Sequence, residues 1–254
     1  MKVILSFTTV MALTGLLLFA CSSSTQTTAV AMTDTTKGFA LLELYTSQGC
    51  SSCPAADKVL ASFAAMHNPQ IIPLAFHVDY WNRLGWTDPF SRKAYSERQR
   101  DYADMFNSES IYTPQLIVNG TDEMVGSDRL KVEAAINRAL ARAPVASVTI
   151  DVPVIKEDKI AVSCTISGDT KGRTLWVALV LHDATTDIRA GENTGVKLMN
   201  VNIVRDLQAA RLDGQRATTT LSLPGGLAAS ACGIIAFLQQ GQTGRIEAAQ
   251  AVLL

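Results

Sequence analysis

Two cysteines three positions apart, Cys50-Ser51-Ser52-Cys53, sit where an apolar run gives way to a helical one, and nothing else constrains this chain as tightly. Phe39 to Tyr45 is almost continuously apolar, as expected of a strand buried on both faces of a sheet. From Pro54 to Met66, Val59, Leu60, Phe63 and Met66 recur at helical spacing, and the proline at the start lacks only an N–H that would have no helical partner. Thiols so placed close into a disulfide and reopen with little backbone movement. The free N–H groups and the positive dipole end of the helix stabilise a thiolate beside them. If the pair is redox-active, Cys50 at the turn is the more exposed sulfur and the attacking thiolate. Cys53, further into the helix, resolves the mixed disulfide.

The compartment bears on that chemistry. Met1-Lys2 and the apolar run Met11 to Phe19, ending Leu18-Phe19-Ala20-Cys21, describe an export signal over residues 1–20. The ending resembles a bacterial lipobox, which implies a lipid on Cys21; an ordinary signal peptide is the alternative. By the same resemblance Ser22, where an aspartate would mark inner-membrane retention, favours the outer membrane facing the periplasm. Ser22 to Lys37 is Ser/Thr-rich and reads as a flexible tether, spanning roughly 20–25 Å r.m.s. as a random coil. No later apolar stretch reaches bilayer length, so the N-terminal lipid is the expected membrane contact. The formal net charge of −1 over 254 residues suggests neither nucleic acid nor a polybasic membrane surface. In an oxidising compartment the remaining cysteines, Cys50, Cys53, Cys164 and Cys232, suggest pairs.

Residues 38–144 alternate strand and helix. Ile71 to Val78 reads as a second strand, ending near His77. Asp88-Pro89 predicts an N-cap with proline at the first helical position. The helix behind it places Phe90, Ala94, Tyr95, Tyr102, Met105 and Phe106 on one side, and Ser91, Arg92, Glu97, Arg98 and Arg100 on a solvated face. Asn119-Gly120 predicts a hairpin pairing Leu116–Val118 with Glu123–Val125. Ser127 is the expected cap of a last helix with Leu130, Ala134, Ile136, Ala139 and Leu140 inward, ended by Pro144.

This order of elements resembles that of thioredoxins. More narrowly, Glu43 to Pro54, Phe76-His77-Val78-Asp79-Tyr80-Trp81 and Tyr112-Thr113-Pro114-Gln115 resemble an exported thioredoxin-like family catalogued as domain of unknown function 1223. The resemblance covers about residues 38–254 and supplies a fold and a location rather than a settled activity. It implies that Thr113–Pro114 is cis, with Pro114 packed on the disulfide and helping to hold substrate backbone. It also implies a carboxylate beneath the inner cysteine, near Glu43, able to take the Cys53 proton. Otherwise Glu43 lies at a strand edge or pairs with a base. Trp81, with Tyr80 and Trp86, lines a substrate groove or forms the core beneath the insertion. His77 beside two thiols offers a Cu(I) or Zn(II) alternative.

From Ala146 the pattern becomes alternation, with Val148, Ile150, Val152 and Val154 in one set and Ile160, Val162, Cys164 and Ile166 in another. Further short strands follow to Val252, which predicts an antiparallel β-sandwich over residues 145–254. A Cys164–Cys232 bridge would add roughly 4 kcal/mol on the loop-entropy account; two unpaired buried thiols are the competing reading. Gly191-Glu192-Asn193-Thr194-Gly195 marks a long loop suited to binding something. The whole predicts an α/β thioredoxin-like domain with a helical insertion, followed by a β-sandwich, that exchanges disulfides with the thiols of other proteins and needs no cofactor. Rival readings are a metal chaperone and a binding module stapled by a static disulfide. The Ser51-Ser52 pair does not set the redox direction, and oligomeric state is left open.

Overall fold

The buried run at the start of the chain becomes β1 (Ala40–Thr46), every residue of which is buried. It lies between β2 (Ile71–His77), which runs parallel to it, and β3 (Gln115–Val118), which runs antiparallel. A strand with neighbours on both sides and helices on both faces has no position for a solvated residue, hence its composition. The computed structural model describes residues 37–254; the expected export signal, Cys21 and nearly all of the tether lie outside the described residues.

Alternation along β1 divides the core. Leu42 and Leu44 pack with Ala56, Leu60 and Phe63 of α1 (Cys53–Ala64) and with Val132, Ala135 and Ile136 of α3 (Arg129–Leu140). Leu41 and Tyr45 point the other way, towards Tyr95 and Tyr102 of α2 (Lys93–Met105). The Asn119-Gly120 turn joins β3 to β4 (Asp122–Val125) with Leu116 opposite Met124. Both turn residues take positive φ, 48° and 70°.

Two helix starts differ from expectation. α2 begins at Lys93 rather than behind Asp88-Pro89; Asp88 caps only a separate turn there, accepting from Phe90 N at 2.9 Å. In α3 the cap is Asp128, whose side chain accepts from Lys131 N, and not Ser127. Ile136 and Ala139 face inward as expected and are joined by Val132 and Ala135, whereas Leu130, 79% exposed, and Ala134 face out.

The second half forms β5 (Ser147–Ile150), β6 (Val154–Lys156), β7 (Lys159–Ser167), β8 (Arg173–Asp187), β9 (Lys197–Ala209), β10 (Arg211–Asp213), β11 (Arg216–Ser222), β12 (Cys232–Gln240) and β13 (Ile246–Leu253). Pro153 separates β5 from β6, and Val152 and Val154 are exposed rather than inward. These strands do not all keep to themselves. β5, β6, β7, β10 and β11 make a five-stranded sheet, but β8, β9, β12 and β13 extend the sheet of the first half in the order β13-β12-β8-β9-β2-β1-β3-β4. The large sheet therefore runs without a break across residue 145. Its β9–β2 junction is short, with Ala75 opposite Ile203. Pro73 has no N–H to give there, and Asn202, at φ 46°, donates its side-chain amide to Pro73 O at 3.0 Å. Ile160, Val162, Cys164, Ile166 and Leu221 of the smaller sheet share a core with Leu175, Val177, Leu179, Ile234 and Leu238 of the larger.

Cys164 and Cys232 both belong to that core as free, buried thiols, so the bridge is not formed. Burial pushes the Cys164 thiol up to about 12 and the Cys232 thiol upward too, which disfavours the thiolate at both. Among the described residues, no helix is long and apolar enough to cross a membrane.

Candidate functional site

Cys50 and Cys53 form a disulfide, with Cα atoms 5.4 Å apart, at the junction between the β1–α1 turn and α1. Backbone bonds from Cys50 N to Ser47 O and from Cys53 N to Cys50 O, each 3.2 Å, wind the turn into the helix. The Thr113 hydroxyl donates to Cys50 Sγ at 3.3 Å, and the Trp81 indole N–H donates to Thr113 Oγ1 at 2.8 Å. Ser52 Oγ also lies 3.3 Å from Cys50 Sγ. The Thr113–Pro114 peptide is cis. Cys50, Cys53, Thr113 and Trp81, singled out in the sequence, are thus linked at the start of α1, with Pro114 next to Thr113 in the chain.

Cys50 is not the exposed sulfur that its position suggests: both cysteines are 0% exposed. Thr113 and Ser52 lie against the Cys50 sulfur, and the backbone of the turn is bonded by the other half of the chain. Asn193, in the loop between β8 and β9, donates its side-chain amide to Gln48 O and Cys50 O, each at 2.9 Å. Its neighbour Glu192 accepts from Ser51 N at 3.1 Å. The glycine-flanked loop marked in the sequence as a binding segment is therefore bound to the cysteine turn of its own chain.

Beneath the turn lies a buried polar cluster. Gln48 donates to Thr186 Oγ1 and Asn200 Oδ1, both at 3.0 Å, and accepts from Trp86 Nε1 at 3.2 Å. Its backbone N–H donates to Asp88 Oδ2 at 2.8 Å, and the same oxygen lies 2.7 Å from His77 Nδ1. Burial alone would raise the Asp88 carboxyl, but His77 and the N–H groups of Gln48 and Phe90 hold it below the ordinary range. Asp57, one turn along α1 from Cys53 and so on the same face, is bonded to Thr46 Oγ1 at 2.9 Å. Burial pushes its carboxyl up to about 6, against the opposing pull of His77 and the Thr46 hydroxyl. His77 Nε2 is buried without a hydrogen-bond partner.

Glu43 does not take the position beneath Cys53. Alternation turns it to the α2 face of the sheet, where Arg98 Nε donates to it at 2.8 Å and Nη2 at 3.2 Å, with the Tyr102 hydroxyl on the same carboxylate. Arg98, read as part of a solvated face, is 5% exposed and ringed by Phe76, Tyr102, Trp176 and Phe237. Burial would lower its pKa, but Glu43, Tyr102 and Tyr45 hold it above the ordinary arginine value. Burial, then the neighbouring Glu43 charge, keeps Tyr45 and Tyr102 protonated. This is a structural ion pair.

His77, weighed as a metal ligand, has Asp88 as its partner instead. Among the described residues no three His, Cys, Asp or Glu side chains converge as a metal site. Asp57 could have been found in the sequence, as the one charge on the apolar face of α1 four residues after Cys53. The sequence marks the loop that carries Glu192 and Asn193 but not what it binds, because their roles, like that of Gln48, depend on which loop reaches the turn.

The fold resembles that of protein AGR_C_4864 from Agrobacterium tumefaciens, at 28% identity and a TM-score of 0.66, over 84% of this chain and 93% of that one. A domain of the outer membrane lipoprotein Omp28 from Porphyromonas gingivalis aligns over 43% of this chain and 95% of its own, at 16% identity. Its TM-score of 0.25 is too low to bear on the fold. No curated protein matches. A family model described as "Protein of unknown function (DUF1223)" matches residues 41–239, well over half of the chain, and the protein belongs to that family.

Proposed function

We propose that this protein is an exported, lipid-anchored thiol–disulfide oxidoreductase with a thioredoxin-like site, acting on thiols or disulfides of other proteins. The reading is carried by the disulfide at the start of α1, where Thr113 donates to Cys50 Sγ. In the reduced form, Cys50 thiolate attacks a client disulfide, forming a mixed disulfide and expelling one client thiolate. Cys53 thiolate then attacks Cys50 Sγ, closing the Cys50–Cys53 bond and releasing the second client thiolate. Two electrons pass to the client; with a client dithiol the same steps run in reverse. Thr113 and the helix start hold the Cys50 thiolate. Asp57, rather than Glu43, is the carboxylate on the Cys53 face and takes its proton as it attacks.

Cys53→Ser should trap mixed disulfides with client proteins, and Cys50→Ser should not, as read on non-reducing gels after acid quenching. A glutathione titration of the wild type should show the pair opening while the fold persists. The burial of both sulfurs favours one second reading, a static staple. A staple predicts that neither serine variant traps anything, and that reduction occurs only as the protein unfolds.

A further inference from the structure

The β8–β9 loop, residues 188–196, is closed on itself. Ile188 N bonds Val196 O at 3.0 Å, Gly195 N bonds Ile188 O at 2.8 Å, and Val196 N bonds Asn193 O at 3.0 Å. Ile188 is buried at its base, while Glu192, Thr194, Gly195 and Val196 are exposed. Its tip therefore keeps its shape whether or not it touches the cysteine turn. The hydrogen bonds that hold the tip down come from two side chains: the Asn193 amide on Gln48 O and Cys50 O, and the Glu192 carboxylate on Ser51 N. Gly191 adds a close approach, since a Cβ built on it would stand 3.1 Å from Trp86 Cβ.

These three backbone groups belong to Cys50 itself and to its near neighbours Gln48 and Ser51. They are two carbonyls and one N–H, the complement of what an extended peptide offers. We infer that residues 188–196 are a strap occupying the peptide-binding groups of the cysteine turn, so that a client reaches Cys50 only by displacing Glu192 and Asn193. A client segment would then place its backbone N–H on the carbonyls that Asn193 now fills and its C=O on Ser51 N. Hydrogen bonds that water can replace each bias such a closure only on the order of two- to tenfold, so the strap is weakly held and readily lifted. The inference rests on the exchange reading.

The test is the rate at which dithiothreitol reduces the Cys50–Cys53 bond in the folded full chain. Opening is followed by Trp81 and Trp86 fluorescence and by mass after alkylation, for the wild type, Asn193→Ala and Glu192→Ala. Asn193→Ala should be reduced about tenfold faster than wild type and Glu192→Ala a few-fold faster. Glu192 is exposed, so its variant keeps the test alive should Asn193→Ala fail to fold. Equal, measurable rates in all three would overturn the strap and leave exchange standing. Inert disulfides in all three folded proteins would overturn both.

Discussion

Asp57 shows how a single residue ties the site to stability. Its ordinary value of 3.8 rises to about 6 in the folded protein, because burial penalises the carboxylate more than His77 and Thr46 favour it. Between those values the folded chain keeps a proton that the unfolded chain has released, so stability falls as pH rises from about 4 to about 6. The loss is about 3 kcal/mol in all. Asp57→Asn should remove that slope and leave the variant more stable than wild type at pH 7, as urea unfolding at several pH values would show; a parallel pH dependence in the two proteins would contradict it. Asp88, held below its ordinary range, acts in the opposite direction and only at lower pH, outside this window. The cysteine pair was legible in the sequence because its chemistry is local, whereas Thr113 and Pro114 were legible only through the family resemblance, since Thr113 meets Cys50 across the fold. Glu43 was misplaced because strand alternation gives a residue its face only once a neighbouring element identifies which face is which.

At the scale of elements, α2 is fastened to the sheet by a charge. Arg98 reaches Glu43 on β1, Gln239 on β12 at 2.8 Å and Gln242 O at 3.1 Å. Removing one partner strands the other in a buried site, so Arg98→Met should destabilise by about 3–5 kcal/mol. Glu43→Leu combined with Arg98→Met should recover most of that loss, which a double-mutant cycle in urea would measure. Additive losses would mean that the two residues do not act on each other. The hydrophobic periods announced β1, α1, β2 and the hairpin, since each buries a regular face. They misdirected the start of α2, where Asp88-Pro89 has every local mark of a cap. One Asp88 oxygen does accept from Phe90 N, but the turn so capped stops short of α2, and the other oxygen holds His77 and the Gln48 N–H, two groups that no window of sequence brings together.

For the whole of residues 37–254, the eight-stranded sheet joins halves that the change of pattern near Ala146 suggested were separate. The alternating pattern was read correctly as strands, but a period of two does not say which sheet a strand enters. With Trp81 and Trp86 in one half and Trp176 in the other, unfolding should give one transition, coincident by tryptophan fluorescence and far-UV circular dichroism. Two separated transitions would count against that coupling. At the end of β1 away from the cysteines, the Asn119-Gly120 turn is seated on the β12–β13 connection. Ile246 N donates to Asn119 O at 2.9 Å, and a Cβ on Gly120 would fall 2.3 Å from Gly244 O. At the other end, Gln48 is knotted to Thr186 and Asn200. A body riveted at both ends has no hinge about which to yawn apart, so entry to the sulfurs falls to a few residues of surface loop, and the scaffold can stay rigid while they move.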